Sequence, residues 1–480
     1  MAEGSIRDEY RNNVAKLFEL QKFGMKFGLE SMFRILDKLG QPQEGLKCVH
    51  LAGTNGKGST AAMLAEGLKL CGYNVGLYTS PHLITFRERI QINGQYISEG
   101  EVVDLVNQVW PATDPKSPPT FFEFVTAMAF SYFRRQGVDL AIVETGLGGR
   151  LDSTNVIFPL VSAITNVSLE HTEHLGTTIE AIAYEKAGVI KPGTPFVGGR
   201  LTGKALEIVS DRAKEFKCPT VAIMGRDYGA TRLPGPGGQA LNGHTQGGQA
   251  LNGHTQAGHS SGGLAWDVHA IDYRGPRWEL KNVKVALSGP YQDDNAAMAL
   301  ALAETLESLG YRLDPFTMAR GLETVKWPGR AETFSPGAWP PGGSSAAPLL
   351  LDGAHNPAGA AALAEHLKIV PRRKLHLIVG VMADKDVAGV LSPVLALADR
   401  LYLTRPAYHR AADPETLLSR LSGALGPPQC PHTLHPTIPE ALAAAAKEAT
   451  ADDLVVVCGS LFTVGETRAY LLGETDLESN

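Results

Sequence analysis

One short segment, residues 48–80, limits what this chain can fold into more than any other part of the sequence. It contains an apolar run (CVHLAG), a glycine-rich turn (TNGKGS), a helical stretch (TAAMLAEGLKLCG) and a second apolar run (VGLYTS). This order is typical of a strand, a loop, a helix and a second strand. Strands that alternate with helices form a mostly parallel sheet covered by helices, so the segment predicts an α/β fold.

The same alternation continues along the chain and then starts again. FFEFVTAMAFSYFRRQG predicts a helix and VDLAIVET a strand, and VSAITNVS, TTIEAIAYEKAGVI, TPFVGG and ALEIVSDRAKEF follow in turn. Further along, PLLLDGAHN opens a second alternating series that ends at DLVVVCGS. We therefore predict two α/β domains, over residues 1–290 and 291–480, with the boundary near 288–296 and a loop at 337–347 inside the second domain.

A glycine-rich segment, residues 229–263, interrupts the alternation. It contains the decapeptide GGQALNGHTQ twice in tandem, at 237–246 and 247–256. Two copies are too few for a solenoid, which needs at least about three. His244 and His254 suggest a metal site, but the glycine content favours a flexible surface insertion of low complexity.

The composition is that of an ordinary globular protein and excludes several classes. The 480 residues are 44% hydrophobic and 20% charged, and this length corresponds to roughly two or three domains. Lys and Arg number 44 against 50 Asp and Glu, so the net charge of −6 gives no basic surplus for nucleic-acid binding. We expect no membrane span, because no run approaches the roughly eighteen apolar residues required, and we expect no signal peptide.

Cysteine usage bears on the cellular compartment. The chain has five cysteines, which are far apart and form no C-x-x-C pair: Cys48, Cys71, Cys218, Cys430 and Cys458. This pattern argues against a disulfide framework or a structural zinc site, and it predicts a reducing cytoplasm.

The glycine-rich turn at 53–60 has the composition of a phosphate-binding loop. Its glycines allow backbone N–H groups to approach phosphate oxygens, the next helix adds positive potential at its N-terminus, and Lys57 adds a full charge. The spacing departs from the common G-x-x-x-x-G-K-[ST] pattern, since Gly58 separates Lys57 from Ser59. The order of strand, loop and helix still favours phosphate binding over a solvated surface turn.

Four further side chains have more than one interpretation. Glu144 ends a predicted strand, where α/β sheets bind ligands, and is either a Mg²⁺-holding acid or an ordinary strand-end acid beside Arg150. Ser80 is a candidate Mg²⁺ ligand or a hydroxyl in a proline turn. From chemistry alone, His171 fits a hydrogen-bonded loop histidine, and Lys186 fits a solvated or ion-paired helix lysine.

The second predicted domain contains three polar clusters at loop positions. In DGAHNP, Asp352 is a candidate for binding a ribose or an amine, and His355 for contacting a carboxylate. Arg330 in WPGR offers a guanidinium to phosphate, and Ser460 follows the last strong strand. Each cluster taken alone also fits a helix cap or a turn.

A series of short motifs appears in one order along the chain: GTNGKGS, TSPHL, ETGLGGRLDSTN, HTEHLG, EKAGVIK, WPGR, DGAHNPAG and GSLFTVGE. The series resembles the folylpolyglutamate synthase/dihydrofolate synthase family of ATP-dependent ligases, relatives of the Mur peptide ligases, in its bacterial dual-activity type. The likeness extends from about Phe27 to Glu466. GTNGKGS is shared with the Mur relatives, whereas ETGLGGRLDSTN and DGAHNPAG are much more specific to the folate branch.

The resemblance implies a role for each matching residue. It implies metal binding by Ser80, Glu144, His171 and a carbamylated Lys186, and it implies a catalytic set of Lys57, Glu144, His171 and Lys186. It implies ATP contacts at Gly56, Lys57, Gly58, Ser59, Asn295, Arg330 and Asp352. The pterin-side contacts would be Gly28, Leu29, Glu30, Thr120, Phe121, Phe122, Glu123, Leu151 and Asp152, and the incoming glutamate would meet His355 and Ser460. Two departures are Glu170, where Asp is usual, and the repeat insertion.

The resemblance also implies a fold and an activity. The fold would be two Mur-ligase-like domains, an N-terminal P-loop ATPase-type domain and a C-terminal Rossmann-like one. The activity would be ATP-dependent addition of L-glutamate to a folate or dihydropteroate carboxylate through an acyl phosphate, with ATP as co-substrate, two Mg²⁺ ions and a monomeric enzyme acting on small molecules. The alternatives are a Mur-type ligase with another acceptor and a P-loop kinase or NTPase. The sequence does not fix the preferred acceptor or the length of the glutamate chain.

Overall fold

The computed structural model describes residues 3–24, 28–234, 269–343, 345–383, 385–474 and 478. The tandem repeat at 237–256, with His244 and His254, lies outside the described residues, so its predicted character stays a prediction.

The first sheet is mostly parallel. Its strands are β1 (Cys48–Ala52), β2 (Val75–Tyr78), β3 (Ile90–Ile92), β4 (Gln95–Tyr96), β5 (Leu140–Glu144), β6 (Val161–Asn166), β7 (Phe196–Arg200) and β8 (Val221–Ile223). They lie in the order β4-β3-β2-β5-β1-β6-β7-β8, with β3 and β4 antiparallel at one edge. All five residues of β1 are buried, as expected for a central strand covered on both faces.

Helices cover both faces of this sheet. They are α1 (Glu3–Glu19), α2 (Glu30–Lys38), α3 (Lys57–Leu70), α4 (Glu99–Val109), α5 (Phe121–Arg135), α6 (Thr172–Leu175), α7 (Ile179–Ala187), α8 (Gly203–Glu215), α9 (Tyr291–Ser308) and α10 (Pro315–Thr324). Neighbouring residues of β1 belong to different cores, because side chains alternate between the faces of a strand. Cys48 shares one buried cluster with Phe124 of α5, whereas Val49 belongs to another with Leu64 of α3 and Leu300 of α9.

A small antiparallel sheet follows, with strands β9 (Gly229–Arg232), β10 (His269–Arg274) and β11 (Glu279–Val285) in the order β11-β10-β9. The start of the predicted low-complexity insertion is therefore wrong by several residues. GATR has no clear apolar alternation, and it becomes a strand because it pairs with β10, as in the Thr231–Asp272 pair.

The second large sheet has the strands β12 (Glu332–Phe334), β13 (Leu349–Leu351), β14 (Leu375–Val379), β15 (Arg400–Leu403), β16 (His432–Leu434) and β17 (Leu454–Cys458). Their order is β12-β13-β17-β14-β15-β16, with only the edge strand β12 antiparallel among the described strands. The helices around it are α11 (Pro357–Ile369), α12 (Val387–Leu395), α13 (Pro414–Leu425), α14 (Ile438–Glu448) and α15 (Leu461–Leu472). The predicted α/β class is confirmed.

The change from the first core to the second does not fall at the predicted position, 290/291. Helices α9 and α10 pack on the first sheet, since Leu300 and Met318 share one buried cluster with Leu51 of β1. That cluster extends to Val325, and the second large sheet begins at Glu332. The sequence showed a helix opening near Asp293, but an apolar helix pattern does not reveal which sheet the helix covers.

No helix within the described ranges is long and apolar enough to span a membrane.

Candidate active site

The loop between β1 and α3 depends on two glycines with positive φ angles. Gly53 has φ 148° and Gly56 has φ 85°, a region that other residues rarely adopt. A Cβ atom on Gly56 would collide with the side-chain oxygen of Asn295, and one on Gly53 would collide with the hydroxyl of Thr165. Helix α3 begins directly after the loop at Lys57, so its first-turn N–H groups are directed at this loop.

The carboxyl end of β6, the strand beside β1, forms hydrogen bonds to the β1–α3 loop. The Thr54 N–H donates to the Asn166 carbonyl at 3.1 Å, and the Asn55 N–H donates to Asn166 Oδ1 at 3.0 Å. Thr165 Oγ1 donates to the Asn55 carbonyl at 2.7 Å. We predicted the strand from the sequence but did not name Thr165 or Asn166. The sequence shows two polar residues at the end of a predicted strand, but it does not show that this strand lies beside β1.

Two lysine side chains converge on the carbonyl oxygen of Gly53. Lys57 Nζ donates to Gly53 O at 3.1 Å and to Thr54 O at 3.3 Å, and Lys186 Nζ from α7 donates to Gly53 O at 2.8 Å. Lys57 Nζ also lies 3.7 Å from Oε1 of Glu144, the last residue of β5. The Lys57 amine can provide positive charge for a phosphate.

Burial shifts the pKa values in this cluster in opposite directions. It lowers the pKa of Lys186 to about 7, and the charge of Lys57 acts in the same direction. Burial raises the pKa of Glu144, whereas Lys57 opposes that rise. A lysine with a pKa of about 7 is uncharged about half of the time at neutral pH, and its free amine is then nucleophilic.

Ser80 and His171 lie at the rim of the same cluster. The Ser80 N–H donates to Glu144 Oε2 at 3.3 Å. His171 precedes α6 with φ 50°, and its Nε2 lies 3.8 Å from Oε1 of Glu170. Burial lowers the pKa of His171 to about 4, which leaves the ring neutral and able to accept at one nitrogen near pH 7.

A cavity of about 400 Å³ brings the predicted nucleotide and metal residues together. Its wall includes Gly56, Lys57, Gly58, Ser59, Ser80, Glu144, His171, Lys186, Asn295, Arg330 and Asp352. Residues from both large sheets therefore face one space, although their individual roles stay predictions.

A larger cavity of about 1100 Å³ adjoins the first one. The two share the wall residues Ser80, Pro81, Gly146, Leu147, Glu170, His171, His355 and Leu461. The predicted pterin-side residues Thr120, Phe121, Phe122, Leu151 and Asp152 line the larger cavity, as does Ser460.

Four predicted pterin-side residues line neither cavity. Gly28, Leu29 and Glu30 lie at the start of α2, where Leu29 is the N-cap. Glu123 instead completes a capping box, since its Oε2 accepts the Thr120 N–H at 2.7 Å and Thr120 Oγ1 accepts the Glu123 N–H at 3.1 Å. The geometry gives Glu123 a role in starting α5, whose first two residues are the cavity-lining Phe121 and Phe122.

Asp352 connects two of the predicted motifs. Its Oδ2 accepts the Tyr291 hydroxyl and the Ala331 N–H, each at 2.9 Å, and its Oδ1 accepts the Ala354 N–H at 2.9 Å. Burial raises its pKa, whereas the Arg330 charge lowers it. These contacts hold the WPGR turn against DGAHN, and they place Arg330 on the nucleotide-side wall.

A chain of polar contacts joins the two parts of the site. Asn55 and Asn356 exchange side-chain hydrogen bonds of 3.3 and 3.0 Å, and Asn356 Nδ2 also donates to Glu170 Oε1 at 2.8 Å. His355 Nε2 lies 3.5 Å from the same carboxylate oxygen, and its Nδ1 donates to the Gly353 carbonyl at 2.8 Å. Glu170 entered the sequence analysis only as a departure from the family pattern, yet it contacts both domains.

Ser460 is the N-cap of α15. Its Oγ accepts the Thr463 N–H at 3.0 Å and lies 2.8 Å from Thr463 Oγ1. Thr463 Oγ1 donates in turn to the Gly380 carbonyl at 2.9 Å, so the Ser460 hydroxyl donates to Thr463. A contact between Ser460 and glutamate would therefore use the remaining lone pair of this oxygen.

Comparisons with known proteins agree with this architecture. The chain matches the Mur ligase middle domain over residues 51–303 and the Mur ligase glutamate ligase domain over residues 342–461. Fold and site together therefore define a Mur-ligase-type protein.

More specific relatives narrow the class. The chain is 33% identical over 400 residues to the dihydrofolate synthase/folylpolyglutamate synthase of Bacillus subtilis, covering 82% of this chain and 84% of that protein. The crystal structure of Mycobacterium tuberculosis folylpolyglutamate synthase complexed with ADP and AMPPCP superposes with a TM-score of 0.80 at 29% identity, over 96% of this chain and 99% of that one. The chain belongs to the folylpolyglutamate synthase/dihydrofolate synthase family.

One relative is much longer than this chain. A probable bifunctional folylpolyglutamate synthase/dihydropteroate synthase of Halobacterium salinarum is 37% identical over 474 residues, which is 96% of this chain. The chain spans about half of that protein's length, 52%.

Proposed function

We propose that this chain is an ATP-dependent ligase that joins L-glutamate to a carboxylate of dihydropteroate or of a reduced folate. The observation that carries the proposal is the pair of adjacent cavities. One is walled by Lys57, Lys186 and Glu144, and the other by aromatic side chains from α5. A nucleotide phosphate and a second substrate can therefore meet near Ser80 and His171, which line both.

The reaction has two steps that balance without a further reactant. An acceptor carboxylate oxygen bonds to the γ-phosphorus of ATP, the bond to ADP breaks, and an acyl phosphate forms. The glutamate amine then attacks the acyl carbon, phosphate leaves, an amide forms and a proton is released. Lys57 and Arg330 would stabilise the transferring phosphoryl group by their positive charge.

The larger cavity suits a flat heteroaromatic acceptor. Phe121 and Phe122 lie on its wall, and Phe122 packs so closely on Gly146 that a Cβ there would be 2.6 Å from the ring. Aromatic rings of this kind stack on planar ligands. The name of the B. subtilis relative includes both dihydrofolate and folylpolyglutamate synthesis, which supports a dual acceptor range.

Magnesium is part of the same proposal, and the donor set fits it. Glu144 supplies a buried carboxylate, Ser80 a hydroxyl and His171 a neutral ring nitrogen at one cavity wall. In the described part of the chain, no group of three or more His, Cys, Asp or Glu side chains could hold a metal unaided. Two Mg²⁺ ions would therefore rely on Ser80, nucleotide phosphates and a carbamate for further oxygen ligands, and when bound they would stabilise phosphate charge.

The carbamate would form on Lys186. The uncharged amine bonds to the carbon of CO₂ and releases one proton, which converts the neutral amine into an anionic oxygen ligand. A pKa of about 7 makes the uncharged amine abundant at neutral pH, and burial of the side chain protects the product from solvent.

ADP release is the test of the proposed function. Purified protein is assayed with Mg²⁺-ATP and dihydropteroate or tetrahydrofolate, with and without L-glutamate. We expect sustained ADP release only when acceptor and glutamate are both present. Release that is independent of glutamate would favour a kinase or NTPase, and release with other acceptors only would favour another Mur-type ligase.

The other properties inferred from the sequence remain part of the proposal. We expect a monomer in the cytoplasm, with small molecules as its partners. Light scattering on the purified protein measures the oligomeric state directly.

A further inference from the structure

His50 is a buried histidine that the proposed reaction does not use. It lies in the middle of β1, three residues before the phosphate loop, and it is fully buried. Its Nε2 lies 2.7 Å from Thr154 Oγ1, and its Nδ1 has no partner among the described residues. Burial lowers the pKa of His50 to about 3, so the ring is neutral near pH 7.

The proton positions in this contact follow from the next bond. Thr154 Oγ1 lies 2.5 Å from Asp152 Oδ1, and a carboxylate oxygen only accepts. The single hydroxyl proton of Thr154 is therefore directed at Asp152. His50 must then donate its Nε2 proton to Thr154, which leaves a lone pair, not an unsatisfied N–H group, at the partnerless Nδ1.

Asp152 lines the larger cavity, and its carboxylate accepts hydrogen bonds from its own loop. Oδ1 accepts both the hydroxyl and the N–H of Thr154, the latter at 3.0 Å, and Oδ2 accepts the Leu147 N–H at 2.8 Å. These three donors occupy three of the roughly four acceptor positions of a carboxylate.

The turn held in this way lies between the two cavities. Gly146 and Leu147 line both of them, and Gly146 packs against the ring of Phe122. A chain of hydrogen bonds thus runs from the strand before the phosphate loop to the wall of the larger cavity.

We propose that His50 and Thr154 are positioning residues, which fix the Asp152 carboxylate and through it the Gly146–Leu147 turn that shapes the acceptor cavity. Asp152 then shapes the acceptor cavity through the backbone of this turn, in addition to lining that cavity itself. The inference rests on the proposed function only for the identity of the acceptor.

Hydrogen exchange of the unliganded protein tests the structural part of the proposal. Thr154→Val keeps the shape and removes the hydroxyl, whereas Thr154→Ser is the matched control that keeps it. We expect the Leu147 amide to exchange about tenfold faster in Thr154→Val, and within about twofold of the wild-type rate in Thr154→Ser, since the loss of one hydrogen bond corresponds to about that factor. The amides of α5 should not change.

A second pair of variants, His50→Leu and His50→Gln, makes the same comparison at the His50 end of the hydrogen-bond chain. This pair replaces the first one if Thr154→Val does not fold. Leucine removes the donor, and glutamine keeps an N–H donor. Faster Leu147 exchange in His50→Leu only would support the proposal. Unchanged Leu147 exchange in the variants that lack the donor or the hydroxyl, or the same acceleration in both members of each pair, would overturn it.

Kinetics separate a positioning role from a loss of stability. In Thr154→Val we expect the KM for the pterin acceptor to rise about tenfold, with the KM for ATP within about twofold of wild type. A lower melting temperature with both KM values unchanged would contradict the proposal. If the wild-type protein used no pterin acceptor, the proposed function would fail, and hydrogen exchange would still decide the role of His50.

Discussion

Two lysine amines share one carbonyl oxygen in this protein, since Lys57 and Lys186 both donate to Gly53. Glu144, 3.7 Å from Lys57, is the nearest described counter-charge of the pair. Two cations so close together are unfavourable in a buried site, and the cost is reduced when one of them is uncharged or a phosphate is bound. In the proposed reaction the two lysines have different tasks, with Lys57 acting on the transferring phosphoryl group and Lys186 forming the carbamate.

Replacing Lys57 by alanine should abolish turnover and leave the fold intact. Its charge acts on the transferring phosphoryl group, and its side chain adds little to the apolar core. Lys69→Ala is the matched control, because Lys69 lies on the same helix and forms a partly exposed ion pair with Glu66. A Lys57→Ala enzyme that kept more than about a tenth of wild-type kcat, a loss below about 1.4 kcal/mol, would show that the loop is not catalytic.

Lys186 should carry a carbamate that can be observed without any assay of activity. With ¹³C-labelled bicarbonate and Mg²⁺, the wild-type protein should show a carbamate carbon signal that Lys186→Met lacks. The signal should grow as the pH rises from about 6 to about 8, because the folded pKa of about 7 makes the amine uncharged over that range. An identical spectrum from Lys186→Met would rule out a carbamate on this residue.

At the scale of elements, the start of α3 packs closely against the side chain of Asn295. Gly56→Ala should abolish ATP binding, because the new Cβ would collide with Asn295 and the residue has φ 85°. Gly72→Ala is the control, since Gly72 follows the other end of α3 with φ 91° and a Cβ there would meet nothing within 4 Å. Both variants should lose about 1–2 kcal/mol of stability through backbone strain. Calorimetric titration with ATP should distinguish them, and equal affinities would show that the close approach to Asn295 is unimportant.

The helices and strands could be predicted well from this sequence, because the two kinds of element differ clearly in the period of their apolar residues and in their length. The β1–loop–α3 unit and the strand that ends at Glu144 are examples. Contacts between distant segments could not be predicted. Neither the pairing of GATR with β10 nor the Asn166 bonds to the phosphate loop leaves a periodic pattern in the sequence.

At the scale of the whole molecule, polar contacts link the two large sheets across the site. Glu170 follows β6 of the first sheet and accepts from Asn356 at the start of α11 in the second part. Helix α9 also joins the two, because it packs on the first sheet while Tyr291 donates to Asp352. The family resemblance predicted that the cavity residues lie in one site. The packing of α9 on the first sheet and the contacts of Glu170 with both domains could be seen only in the structure.

The central claim is that ATP activates an acceptor carboxylate as an acyl phosphate. The most direct measurement uses an acceptor labelled with ¹⁸O in its carboxylate, together with ATP and L-glutamate, and mass spectrometry of the released phosphate. We predict one ¹⁸O atom in each phosphate, because a carboxylate oxygen stays on phosphorus when the amine displaces it. Phosphate without ¹⁸O, formed at the same rate as the amide product, would contradict the account.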